Sequence, residues 1–115
     1  MSPTIVYDKS GKPVLALGSA GGKRIIMHVT KTLIGVLDFG LPLNDAIKLP
    51  NIYFGGDAVL VEKNTELAAK AGEISRFGRT VLASGLPSKV NGAQWTNGRW
   101  VGHADPRSQG VALEE

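Results

Sequence analysis

The chain has 115 residues, 43% of them hydrophobic and 20% charged, a balance that suits one folded domain and argues against wholesale disorder. It contains no cysteine and two histidines far apart in sequence, so neither a thiol nucleophile nor a zinc site is expected, and no cofactor is expected either. The formal net charge of +3 comes from scattered Lys and Arg, not from basic runs interleaved with aromatics, so nucleic acid is not an expected partner; no apolar run is long enough for a membrane helix.

From the N-terminus, "TIVYDKSGKPVLALG" predicts a hairpin: β-rich residues from Thr4 to Tyr7, a turn cluster containing Gly11, then extended chain through "PVLAL". "GSAGGKR", residues 18–24, follows, and the hydrophobic period then changes to that of a helix. Arg24, His28, Lys31, Gly35 and Asp38 form a stripe spaced four, three, four and three, read as the solvated face; Ile26, Val29, Leu33 and Val36 lie opposite and are expected to face the core. Gly40 is expected to cap this helix in the left-handed conformation and Pro42 to stop it. "LPLNDAIKLP" predicts a short second helix, started near Asn44.

"NIYF" and "AVLVE" read as short strands around Gly55-Gly56, Thr65 to Phe77 as a helix closed by Gly78, and "TVLAS" as another strand. In "AQWTNGRWVG", Asn97-Gly98 is the dipeptide favoured in a type I′ turn. A two-residue loop there sets Trp95 opposite Trp100, an aromatic pair that contributes roughly 0.2–1 kcal/mol beyond alanines. Such a pair is either a ligand platform or, the simpler reading, cover for the core or for a subunit contact. Strands and helices in this order argue for an α+β fold with an antiparallel sheet, in a single domain over residues 1–115.

The glycine stretch does not fit the phosphate-binding motifs. Lys23 is followed by Arg24 where the P-loop requires a hydroxyl, and Gly18, Gly21 and Gly22 do not have the dinucleotide spacing. Two readings stay open on the residues alone: packing glycines at a strand-to-helix corner, or backbone amides turned towards a developing negative oxygen at a helix start.

"MSPTIV", "GSAGG", "RII", the helix ending "LDFGLPLNDAIKLP" and the terminal "ADPRSQGVA" resemble, in order and spacing, the C-terminal portion of the small subunit of gamma-glutamyltranspeptidases. The resemblance runs from Met1 to about Ala112 and is least specific between Asn51 and Ser84. It implies part of an N-terminal-nucleophile hydrolase fold, an αββα sandwich of antiparallel sheets and helices. It also implies an enzyme that cleaves gamma-glutamyl amides such as glutathione through a threonine acyl-enzyme, resolved by water or an amine acceptor. By resemblance, the amides of Gly21 and Gly22 are the oxyanion-hole donors.

The family's nucleophilic threonine, its substrate-holding acidic residues and its Ser-Ser pair would all precede Met1, so this chain by itself is expected to be inactive. A late gene start or a fragment is the expectation, with export in the family but no signal here; the alternative is a non-catalytic scaffold or interaction module derived from the same fold. Thr4 lies in a strand pattern and is not a substitute nucleophile. Arg24 is expected on the solvated stripe, not on a carboxylate. His28 is not expected to shuttle protons, and Asp105 to Arg107 are expected to pin a turn by hydrogen bonding. Strand edges and an apolar face left bare by truncation predict self-association.

Overall fold

The computed structural model describes residues 1–113. Its elements in chain order are β1 (Thr4–Tyr7), β2 (Pro13–Gly18), a 3-10 turn (Gly22–Arg24), α1 (Ile25–Leu37), α2 (Leu43–Lys48), β3 (Ile52–Phe54), β4 (Ala58–Glu62), α3 (Glu66–Ala69), α4 (Ala71–Ser75), β5 (Thr80–Ser84), β6 (Asn91–Thr96) and β7 (Arg99–Ala104). The chain divides into two compact units, one of residues 1–49 with the segment from residue 88 onward, the other of Pro50–Pro87.

In the first unit an antiparallel sheet runs in the order β1-β2-β6-β7, so the N-terminal hairpin pairs with the C-terminal one. Register sets Val6, Leu15, Gln94 and Val101 in one row and Ile5, Ala16, Ala93 and Gly102 in the next. Alternation then separates a face carrying Leu15 and Leu17 from a face carrying Ile5, Tyr7, Trp95 and Trp100. The first of these packs with Val29 of α1, Leu43 and Ile47 of α2, and Val90 into the core. Gly92 is required within β6, since a Cβ there would lie 2.7 Å from the Ala16 carbonyl oxygen. Gly35 brings α1 onto α2; a methyl group on it would lie 2.9 Å from Ala46 Cβ and 3.0 Å from Leu49 Cδ1.

The face α1 buries differs from the amphipathic reading. His28, Val29, Thr32 and Gly35 are its buried residues, whereas Ile26 is 68% exposed. Val29, Leu33 and Val36 face the core as expected, and the buried surface extends round to His28 and Gly35 of the polar stripe, because close approach to α2 demands a small residue at Gly35. Lys31 extends from this stripe to donate to the carbonyls of Ile47 (2.9 Å) and Leu49 (2.8 Å) at the end of α2. Gly40 has φ +66°, as its capping role requires, and the Leu41 amide donates back to the Gly35 carbonyl. α2 begins after Pro42 with no side-chain cap; the Leu43 amide is satisfied by Gln94 Oε1 at 2.8 Å instead.

The second unit holds the sheet β3-β4-β5, in which β3 and β4 are antiparallel and β4 and β5 are parallel. The intervening helical stretch explains the direction: it returns the chain to the starting end of the sheet. That stretch is two short helices broken at Lys70 (ψ 8°), with Thr65 capping the first by accepting from the Ala68 amide. Asn51 is buried here, its side-chain amide donating to the Leu86 carbonyl at 2.9 Å and its backbone amide to Glu62 Oε2 at 2.8 Å.

Candidate functional site

The glycine turn leaves the sheet at the end of β2 and enters the 3-10 turn that opens α1. Gly18 pairs with Asn91 of β6, and the Ala20 amide donates to the Lys89 carbonyl at 3.3 Å, so the turn is tied to the start of β6. Gly21 then takes φ 136°, ψ 19° and Gly22 takes φ +61°, conformations that L side chains rarely adopt. Both residues are exposed, and among the described residues neither amide finds a hydrogen-bond acceptor. Their carbonyls are used instead: Gly21 accepts from the Arg24 amide at 3.3 Å and Gly22 from the Ile25 amide.

Electrostatics at this turn favour an anion. It starts a helix, whose unpaired N–H groups carry partial positive charge, and Lys23 and Arg24 add two cations. No acidic residue lies in the first turn of either helical segment to offset them. Beside the turn is a cleft of about 350 Å3 lined by Met1, Pro3, Gly18, Ser19, Ala20, Lys89 and Asn91.

The other candidate residues lie elsewhere. Thr4 is in β1, and its hydroxyl donates to the Ser2 carbonyl at 3.2 Å. His28 was expected on the solvated stripe and is instead 1% exposed, with neither ring nitrogen hydrogen-bonded among the described residues. Burial, reinforced by Lys31 and against the pull of Asp105, pushes its pKa below the ordinary 6.5; Arg107 and Arg24 push the same way. His103 is in β7 opposite Gly92, and no metal-holding group of three ligands occurs among the described residues.

Asp105 to Arg107 do pin a turn, and the network extends further. Buried Asp105 accepts from the Ser88 hydroxyl, the Val90 amide (3.1 Å), the Arg107 amide (3.0 Å) and Arg107 Nη1 (3.2 Å). Burial opposes ionisation of this carboxyl, but the Ser88 hydroxyl, the two amides and the guanidinium outweigh it and hold the pKa below 3.8. Arg107 also donates to the carbonyls of Ile47, Lys48 and Leu49, joining Lys31 at the C-terminus of α2. Sequence reasoning missed this double cap, for nothing local marks a bond spanning 58 to 60 residues.

Asn97 (φ 52°) and Gly98 (φ 81°) form the expected turn, and Trp95 meets Trp100 edge to face at 5.8 Å between centroids. These tryptophans are 44% and 40% exposed, on the face away from Leu15 and Leu17, so they do not cover the core. With Asp8, Lys12, Pro13 and Val14 they line a second cleft, of about 360 Å3.

Among known proteins, the sequence model described as gamma-glutamyltranspeptidase matches residues 1–114. The chain is 31% identical over 118 aligned positions to the glutathione hydrolase proenzyme of Bacillus subtilis (strain 168), covering 98% of this chain and 20% of that protein. It is 32% identical to the glutathione hydrolase proenzyme of Escherichia coli (strain K12), covering 94% of this chain and 19% of that protein. The chain therefore spans about a fifth of the length of these relatives. A solved gamma-glutamyltranspeptidase from Helicobacter pylori superposes with a TM-score of 0.84 at 30% identity, over 94% of this chain and 61% of that one. One from Pseudomonas nitroreducens gives the same TM-score at 26% identity, over 100% and 61%.

Proposed function

Because the chain belongs to the gamma-glutamyltranspeptidase family, an α+β fold of the N-terminal-nucleophile hydrolase type, we propose that it supplies the oxyanion hole and supporting scaffold of a gamma-glutamyl transferase or glutathione hydrolase. The observation that carries this reading is the pair of exposed amides at Gly21 and Gly22, lacking an acceptor among the described residues in a turn rich in positive charge.

In this mechanism a threonine supplied by the rest of the enzyme attacks the gamma-carbonyl of the donor, and its own α-amine takes the hydroxyl proton. The carbonyl oxygen becomes an oxyanion facing the two glycine amides, fixed donors that need no reorganisation as charge develops. Collapse expels the amine half with the proton returned to it and leaves an ester on the threonine. Water or an amine acceptor then releases the glutamyl group. Glycine suits both positions because the positive φ values aim backbone without strain and leave room for the substrate.

On this reading the nucleophile belongs to the rest of the enzyme, and the 115-residue chain does not turn over by itself. Incubated with gamma-glutamyl-p-nitroanilide it acquires no glutamyl adduct by intact-mass spectrometry. Joined to the upstream segment of the Bacillus subtilis relative, it completes an active hydrolase. Gly22→Ala in that chimera, strained at φ +61°, lowers kcat by about 10²–10³ with KM changed far less. A glutamyl adduct on the isolated chain, or a Gly22→Ala chimera as fast as its parent, would refute the assignment; a folded but inactive chimera favours the non-catalytic module.

The same reading accounts for the exposed sheet face. Ile5 (56%), Tyr7 (57%) and the two tryptophans are left uncovered, and β1 and β7 are open edges. In the absence of the remaining enzyme the chain self-associates through this face, and sedimentation at micromolar concentration is expected to show concentration-dependent mass.

A further inference from the structure

The dipeptide Asn-Gly occurs twice in the C-terminal hairpin, at residues 91–92 and 97–98. In this dipeptide the asparagine side chain is readily attacked by the following backbone nitrogen, because glycine puts no Cβ beside that nitrogen. The fold gives the two copies opposite surroundings. Asn91 starts β6 and is paired on both sides, with Gly18 of β2 and Ala104 of β7. Gly92 lies between Leu17 and His103 in the middle of the sheet. Counted back from the two-residue loop, pairs alternate between bonded and non-bonded, starting with the bonded pair Thr96 and Arg99; Gly92 and His103 are therefore a bonded pair. The Gly92 nitrogen is committed to the ladder. Asn97 and Gly98 form the loop itself. Both are exposed and lie outside the strands, at φ 52° and 81°, and among the described residues the Gly98 amide finds no acceptor. Rotation about the Cα–C bond of Asn97 disturbs only the end of the hairpin.

We propose that Asn97 is a modification site, deamidating spontaneously to aspartate and isoaspartate, and that the sheet protects Asn91 from the same reaction. The Gly98 nitrogen gives its proton to hydroxide and attacks the side-chain carbonyl carbon of Asn97. A C–N bond forms between them, the bond to the side-chain nitrogen breaks, and that nitrogen takes a proton from water and leaves as ammonia. Water then opens the succinimide at one of its two carbonyls. Opening at one restores the original backbone with an aspartate; opening at the other leaves isoaspartate, whose main chain runs through the side-chain methylene. Either product lowers the formal net charge of +3 by one. The isoaspartate form also lengthens a loop that has only two residues, so it separates Trp95 from Trp100, whose ring centroids are 5.8 Å apart. The cleft that these rings line with Asp8 and Lys12 changes with them.

The test is ageing of the whole 115-residue chain at pH 8, followed by tryptic digestion and mass spectrometry. Cleavage after Lys89 and Arg99 releases both asparagines in one peptide, and fragmentation assigns the added mass to one or the other. In the folded chain Asn97 is expected to convert at least about ten times faster than Asn91, since opening the sheet at Gly92 costs more than fraying the loop. In urea the two rates are expected to converge. Asn97→Gln is expected to abolish conversion at this position and leave Asn91 as it was. The exciton couplet of the tryptophan pair in circular dichroism is expected to persist in Asn97→Asp and to weaken in proportion to the isoaspartate content of the aged chain. That contrast assigns the effect to the backbone and not to the new charge. Equal rates at the two asparagines in the folded chain, or no conversion at Asn97 over a period in which the urea-unfolded chain converts, overturns the site. A couplet unchanged by isoaspartate overturns its structural consequence.

Discussion

Replacing Asp105 with alanine removes the acceptor of four hydrogen bonds from a residue that is 1% exposed. The Val90 amide belongs to a fully buried residue and loses its partner outright, a cost of about 1–3 kcal/mol. The Ser88 hydroxyl, also buried, adds about 1 kcal/mol, because it can rotate towards another acceptor. Arg107 keeps its three carbonyl acceptors on α2, so its lost ion pair adds less than about 1 kcal/mol. The sum is about 2–5 kcal/mol. For 115 residues the unfolding entropy is roughly 240 cal/mol/K, and the Tm falls by about 8–21 °C. Thermal and urea melts followed by far-UV circular dichroism at pH 7 measure this. The pH limb provides an independent reading. With the native carboxyl pKa below 3.8, its contribution is fully present above that pH and is lost as pH falls through the native value. Asp105→Asn therefore flattens the acid limb while costing less at pH 7 than alanine. A midpoint for Asp105→Ala within about 4 °C of the parent, equivalent to about 1 kcal/mol, would refute this account of the network.

His28 has a lowered pKa, so the unfolded chain binds its proton first; stability is full above pH 6.5 and declines as pH falls from there towards the native value. His28→Leu is expected to abolish that slope between pH 6.5 and 5 without lowering stability at pH 8, and a persistent slope in urea titrations would exclude His28 as its source. Gly92→Ala places a methyl 2.7 Å from the Ala16 carbonyl oxygen and should cost about 1–3 kcal/mol in urea melts, with a near-neutral result showing that the β2–β6 contact can relax. In a double-mutant cycle with Trp95→Ala and Trp100→Ala, the edge-to-face pair at 5.8 Å should give a coupling of about 0.5–1.5 kcal/mol; additivity would mean that the rings contribute only through burial.

Local signals were legible where one residue type dictates the backbone. Gly40 and Gly78, which close helices, and Gly11 and Asn97-Gly98, which turn the N- and C-terminal hairpins, all take the positive φ values expected of their positions. The helix-face reading of α1 held for Val29, Leu33 and Val36, which reach the core, and failed for Ile26, His28 and Gly35 because it weighed polarity against size. The contact with α2 is decided by the absence of a side chain at Gly35, and that puts His28 on the same inward side. Parallel pairing of β4 with β5 was hidden because period and composition do not record strand direction. In the site, the unusual glycines were visible at once, yet residues 18–24 alone could not separate packing from function. Lys89 was invisible, since the pairing of β2 with β6 is what brings it to the turn.

That long-range pairing also joins the two ends of the chain into one support. Asp105 fixes Ser88 and Val90, and the residue between them, Lys89, offers its carbonyl to the Ala20 amide. Residues 88–90 are thus held from one side by a buried carboxylate and themselves hold the glycine turn from the other. Arg107 anchors that carboxylate to the end of α2, where Lys31 of α1 binds two of the same carbonyls. A turn with two exposed amides that have no acceptor among the described residues holds one conformation only if the chain on either side restrains it. The backbone here is restrained immediately before Gly21, by Ala20, and immediately after Gly22, by the start of α1. The "ADPR" motif and the glycine stretch, more than eighty residues apart, are therefore two parts of one hydrogen-bonded support that meets at residues 88–90.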